Sequence, residues 1–435
     1  MTDSTWNGLA ARLAGARARS DEIFSLVSPA ALFERPIAER HRLVFYMGHL
    51  EAFDWNLLGL SAAGAPAFAP GLDQLFAFGI DPVDGDLPVD APGDWPALDE
   101  MTGYRTRARG GVDGLLARGA IADARLLHVA IEHRLMHAET LAYLLHGMPY
   151  EHKAAPRTAS AVRPAFRPTE ARLVPIPEGI ASLGMPDEKP GSFGWDNEYG
   201  ASRRRVPSFA IQSHKVTNGQ FLSFVQGGGY RETSLWRPED WQWVRKAGVA
   251  HPHFWAWRGT EWYYRGMFSE QPLPLDWPVY VSHAEASAFA RWSGMSLPSE
   301  EQFHRAAYGT PEGAERLYPW GDQPPESRGP ARGNFDFRRW EPTPVGAHPA
   351  GDSAFGVADL VGNGWEWTST VFAPLDGFRP FEFYRGYSAG FFDGRHFVMK
   401  GGSARTAACM LRRSFRNWFQ PHYPYVYASF RCMTQ

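Results

Sequence analysis

The sequence predicts an α+β protein in which a four-helix bundle precedes a domain of short strands and loops. Three observations carry this reading. Apolar residues recur at helical spacing through roughly the first 150 positions. A stretch of Ala, Pro, Arg and Ser without periodicity follows, and beyond it Gly, Pro and Trp become frequent while helical spacing becomes rare. At 435 residues, with 44% hydrophobic and 21% charged, the chain has material for two or three well-cored domains.

Four segments with helical spacing lie at 6–27, 37–60, 95–116 and 122–145. The longer breaks between them, 64–70 and 81–93, carry Pro and Gly, and four helices of this length suggest a bundle. Residues 1–150 are therefore expected to form the helical domain, 151–169 a linker, and 170–435 a second domain. In that second domain only 217–225, 284–292 and 299–307 read as helical, so aromatic packing is expected to hold it; aromatics make up 14% of the chain, with 17 Trp.

A net charge of −3 gives no electrostatic reason to expect nucleic acid or an anionic membrane as partner, and Arg203–Arg204–Arg205 reads as a short solvated loop. Cys409 and Cys432 are too few for a disulfide scaffold, lack zinc-site spacing, and read as buried thiols. No apolar run marks a signal peptide or a membrane span, so a soluble cytoplasmic protein is expected.

The most informative stretch is Glu132-His133-Arg134-Leu135-Met136-His137-Ala138-Glu139. His133 and His137 are four apart, so they share one helix face and can reach one metal ion. Glu139 points elsewhere, and a third ligand must come from another helix. His49, mid-helix in an apolar neighbourhood, is the best candidate. Glu51 and Asp54 are candidates for a carboxylate ligand or for orienting an imidazole, whereas His128 and His146 lie off the ligand face. Histidine pairs at this spacing also occur facing solvent or satisfying a core hydrogen bond.

The pattern His133-x-x-x-His137-x-Glu139, with His49 in a Gly-His context, resembles the DinB-like iron-binding domain of the ergothioneine-type sulfoxide synthases. The second half resembles the C-type-lectin-like, formylglycine-generating-enzyme-type domain of that family. Gly362-Asn363-Gly364-Trp365-Glu366-Trp367-Thr368, Gly401-Gly402-Ser403, Arg416-Asn417-Trp418-Phe419 and Phe430-Arg431-Cys432 carry it, with Val216-Thr217-Asn218 and Pro298-Ser299-Glu300-Glu301. The resemblance implies iron(II), Fe(II), held by His49, His133 and His137, with dioxygen (O2) as oxidant and hercynine as acceptor. It places Asn417 and Trp418 at the trimethylammonium group, which cannot donate a hydrogen bond and suits aromatic faces. It also argues against copper chemistry of the formylglycine-generating type, which needs two closely spaced cysteines.

Departures from the family pattern bear on the donor. Phe419, followed by Gln420, stands where some members carry an Asp that binds γ-glutamylcysteine. A ring in place of a carboxylate suits a sugar-like donor, although Arg405, Arg412, Arg413 and Arg416 are available to meet carboxylates. The stretch from Phe76 to Pro82 and the whole of 415–432 resemble the selenoneine synthase branch, which joins a selenosugar to hercynine through a carbon–selenium bond. The family's active-site tyrosine has no clear counterpart, and Tyr384 and Tyr387 are the nearest phenols. A zinc-dependent thiol transferase or hydrolase, and a non-catalytic binding module, are the competing classes.

Overall fold

Long helices form where the apolar periodicity predicts them, in a computed structural model that describes residues 3–77, 87–156, 171–186 and 192–435. The chain divides into two compact units, Met1–Thr158 and Ala159–Gln435. No helix among the described residues is long and apolar enough to cross a membrane.

In the first unit α1 (Asp3–Ser25) packs along α5 (Ala124–Gly147), and α2 (Leu43–Asp54) packs on α4 (Leu98–Ala117) and α5. Helix α5 starts where Asp123 accepts the Arg125 N–H, a cap that satisfies an otherwise unpaired donor. Helix α2 begins six residues later than expected. Residues before it are extended at Arg42, where Arg42 and Arg35 converge on Asp90; Ile37 is buried without being helical. Past Asp54 the chain continues as a π-helical stretch, Trp55–Ala62. There the Trp55 indole lies over Gly59 and against Gly111 of α4, and a Cβ at either glycine would stand 2.6 Å from the ring. A short helix, α3 (Pro70–Leu75), follows the expected loop.

A buried ion network ties α1, α2, α4 and α5. Arg134 donates to both Glu51 oxygens at 3.1 Å, to Asp54 at 2.7 Å and to the Leu50 carbonyl at 2.9 Å. Arg109 bridges Glu51 and Asp21. Burial alone would raise the Glu51 carboxyl, yet the charges and hydrogen bonds of Arg134 and Arg109 outweigh it and hold the group at about 2. The expected linker starts as part of this unit: Lys153 donates to the Leu145 carbonyl at 2.7 Å, and residues 157–170 lie outside the described ones.

The second unit is built of small sheets. Strands β1 (Leu173–Ile176), β4 (Phe209–Gln212) and β12 (Met433–Thr434) form one; β2 (Gly179–Leu183) and β3 (Ser202–Val206) a second; β5 (Trp255–Arg258), β6 (Glu261–Arg265) and β7 (Glu270–Pro272) a third. Arg203–Arg205 therefore lie on a strand rather than a loop, with their side chains exposed. The sheet that matters most runs in the order β10 (Asn417–Phe419), β9 (Phe397–Lys400), β8 (Trp365–Val371), β11 (Ala428–Ser429).

Among the described residues of this unit, three of the four α-helices start at capping boxes: α6 (Asn218–Gln226) at Thr217, α8 (His283–Trp292) at Ser282 and α9 (Glu300–Tyr308) at Ser299. Sequence reading missed α7 (Pro238–Ala247), which opens on Pro, Glu and Asp and ends at Gly248 with φ 64°. Its apolar residues are too few for periodicity to reveal it. The motif residues lock this unit together: buried Glu366 pairs with Arg431 at 2.6 and 2.8 Å and with Lys215 at 3.1 Å. Asn363, at φ 61°, accepts from the Thr343 N–H at 2.8 Å and from Asn334 at 3.2 Å.

Two outcomes follow for stability. Replacing Arg134 by Ala takes the hydrogen bond from buried Asp54 and leaves the hydrogen bonding of Glu51 to Arg109, so unfolding free energy measured by denaturant should fall by about 3–5 kcal/mol. His283 packs its ring 3.8 Å from Phe397, and burial, then the nearby Arg237 charge, lowers its pKa from 6.5 to about 3. The folded protein thus keeps it neutral while the unfolded chain protonates below 6.5. Its contribution is therefore complete above that pH and lost as pH falls toward 3, at about 1.4 kcal/mol per unit. His283→Phe should flatten the stability profile between pH 6.5 and 4; an unchanged slope would refute the assignment.

Candidate metal centre

His49 projects from α2, and His133 and His137 from α5, into one apolar pocket where all three are buried. One nitrogen from each lies within 4.8 Å of the others, and ring centroids are 5.2, 5.0 and 4.5 Å apart. Nitrogens about 2.1 Å from a shared tetrahedral ion would stand about 3.4 Å apart, so small ring movements complete the site. Among the described residues no other His, Cys, Asp or Glu group converges in this way.

Phe45 stacks on His49 at 4.9 Å and Phe53 on His133 at 3.5 Å, which fixes the imidazole planes. Burial lowers His49 to about 4, despite its bond to the Phe76 carbonyl; the charges of His41 and Arg134 act in the same direction as burial. His133 and His137 are pushed well below the ordinary value, again by burial first and by neighbouring histidines next. All three are therefore neutral at physiological pH, the state in which an imidazole binds a metal. His137 keeps a buried Nδ1 that has no hydrogen-bond partner among the described residues. An open set of three neutral nitrogens fits a borderline divalent ion such as iron(II) or zinc.

Glu51 and Asp54 neither ligate nor orient an imidazole. Both Glu51 oxygens and Asp54 Oδ2 are engaged by Arg134, and Arg109 adds a second bond to Glu51. Sequence reading also missed two neighbours of the triad. Tyr46, one turn before His49, brings its ring within 5.6 Å of His137; its spacing from His49 was the available signal. The carbonyl of Phe76 accepts from His49 Nδ1 at 2.7 Å, and a main-chain partner leaves no trace in residue types. Phe76 is buried, while residues 78–86 lie outside the described ones.

In the second unit Trp418 stacks on Phe372 at 4.2 Å, with Tyr387 edge-on at 5.5 Å. Tyr387 stacks in turn on Trp195 at 4.0 Å, and Tyr384 lies 5.7 Å from Tyr387. Of the two tyrosines singled out from sequence, Tyr387 meets Trp418, and Tyr384 packs behind it on Tyr387. Strand alternation sends Phe419 to the other face, where it stacks on Tyr423 at 5.1 Å and 14°. Asn417 accepts from the Trp418 N–H at 2.9 Å, and Gln420 closes a turn by accepting from the Tyr423 N–H at 3.3 Å. Arg416 is committed elsewhere: it holds both Glu300 oxygens at 3.1 Å and the Ala373 carbonyl at 2.9 Å. Arg412 pairs with Glu198, and Arg405 lies 3.8 Å over the Trp340 ring. Cys432 is buried, whereas Cys409 is half-buried rather than fully enclosed, and neither forms a disulfide.

Residues 158–435 match the sulfatase-modifying factor enzyme 1-like domain. The hercynine oxygenase of Mycobacterium tuberculosis is 36% identical over 323 residues, covering 74% of this chain and 74% of the relative. Ergothioneine biosynthesis protein 1 of Neurospora crassa is 28% identical over 92% of this chain and 54% of its own length. Among solved structures, PvdO from Pseudomonas aeruginosa covers 62% of this chain and 100% of its own at a TM-score of 0.40 and 20% identity. With these relatives and the C-terminal match, the chain belongs to the hercynine oxygenase family of ergothioneine-type sulfoxide synthases and carries that family's sulfatase-modifying-factor-like domain.

Proposed function

We propose that the chain is an iron(II)- and dioxygen-dependent enzyme that joins a chalcogen donor to imidazole C2 of hercynine, with a selenosugar as donor. The observation that carries it is the convergence of three buried, neutral imidazoles in a member of the hercynine oxygenase family. His49, His133 and His137 would hold the ion, which when bound supplies the redox chemistry that makes dioxygen reactive. Phe45 and Phe53 keep water from the imidazoles and limit proton competition for their lone pairs.

Asn417 and Trp418 are the residues proposed to bind hercynine. The Trp418 face attracts a trimethylammonium group through its quadrupole, and Asn417 offers neutral polarity that leaves the cation unpaired. Tyr387, beside Trp418, and Tyr384, beside Tyr387, are the phenols proposed to move a proton at Oη. For the donor, the stacked Phe419–Tyr423 pair offers an aromatic wall to sugar C–H faces, with Gln420 next to it for hydroxyl groups. Arg416, consumed by Glu300, leaves no carboxylate-binding fork at that position. The sulfur alternative, γ-glutamylcysteine or cysteine, is favoured by the activity named for the relatives.

Metal analysis of anaerobically purified protein should return iron, and His133→Ala should lower metal affinity by more than the about 10- to 100-fold that outer partners cost. Stoichiometric zinc with oxygen-insensitive turnover would instead mark a zinc enzyme. Hercynine, iron(II) and oxygen offered with γ-glutamylcysteine, cysteine or a selenosugar should give the selenium product preferentially by mass. Better turnover with γ-glutamylcysteine would overturn the donor assignment. Phe419→Asp should impair sugar-donor use while iron content stays constant.

A further inference from the structure

His49 Nδ1 lies 2.7 Å from the carbonyl oxygen of Phe76. A carbonyl only accepts, so Nδ1 carries the proton of the neutral ring and the lone pair belongs to Nε2. The position of one backbone oxygen therefore decides which nitrogen His49 presents to an ion. Phe76 follows the last residue of α3, which spans only six residues and cannot hold itself in place by its own hydrogen bonds.

Two contacts anchor it. The phenol of Tyr104, on α4, donates to Asp73 Oδ1 at 2.7 Å, and both side chains are buried. The Phe76 ring is wedged between Trp95 at 5.9 Å and Tyr104 at 6.0 Å, over the backbone of Gly48. A Cβ on Gly48 would meet that ring at 2.5 Å, so only glycine permits the approach beside His49. Tyr104 thus grips α3 at both its carboxylate and its terminal ring. Burial, and then the bond to Asp73, raise the Tyr104 pKa, so the phenol stays a donor.

We infer that the Tyr104–Asp73 pair is a positioning device for the metal centre, fixing the Phe76 carbonyl so that His49 presents Nε2. Tyr104, Asp73 and Gly48 touch no reacting atom; they act through α3. The inference rests on the metal reading above, and its test separates the two. Nitrogen-15 NMR of the metal-free chain should show His49 protonated at Nδ1. Tyr104→Phe keeps the ring that packs on Phe76 but loses the bond, and Asp73→Ala loses it from the other side. Both should give a mixture of His49 tautomers and weaken iron(II) binding about 10- to 100-fold in chelator competition. Asp73→Asn keeps an acceptor for the phenol and should restore a single tautomer and near-normal affinity. Folded Tyr104→Phe and Asp73→Ala proteins with an unchanged tautomer and unchanged affinity would overturn the inference. A wild-type chain that binds no iron(II) while its tautomer still responds to Tyr104→Phe would remove the metal reading and leave the positioning device intact.

Discussion

A buried imidazole has one proton and one lone pair, and an apolar pocket forbids it a second proton. That constraint governs the helical unit. Three such rings facing each other resist taking up charge, because each added proton would sit beside two other imidazoles and far from water. Three neutral nitrogens held this close together form a donor set that suits a Lewis acid. The pocket is thus unfavourable to an empty, protonated state well before any substrate is considered.

The cost of such a pocket is met by separating chemistries around α5. His133 and Arg134 are neighbours in sequence, yet successive residues on a helix point about 100° apart. One side of α5 carries the imidazoles, and the next carries a guanidinium bonded to Glu51, Asp54 and the Leu50 carbonyl. Helix α2 repeats the division, with His49 toward the rings and Glu51 toward the arginines. The positive charge of Arg134 is near enough to help keep the histidines neutral, while its own partners hold it among the carboxylates.

How much of this was legible depends on the range of the signal. The four-residue spacing of His133 and His137 is local, and the apolar context of His49 is nearly so; both could be read directly. The helices at 217–225 and 299–307 were legible within a residue from local spacing alone, although Thr217 and Ser299 prove to be their caps rather than their first turns. Helix α7 escaped because its charge order and terminal Gly248, not apolar spacing, define it. Arg134 drew no role from its sequence neighbours, because it meets its partners 80 and 83 positions away. Arg416 looked like a binding residue because a motif placed it beside Asn417, whereas Glu300, 116 positions distant, claims its charge. The Phe76 carbonyl could not be read at all, being common to every residue type.

Cys432 closes the chain's last strand region with its thiol pushed up to about 12 by burial. At neutral pH the anionic form is then on the order of one part in 10⁵. Soft nucleophiles that react with oxidants or electrophiles do so as anions, so this sulfur is chemically silent. The core of the second unit therefore holds a sulfur that neither pairs nor reacts as an anion near neutral pH.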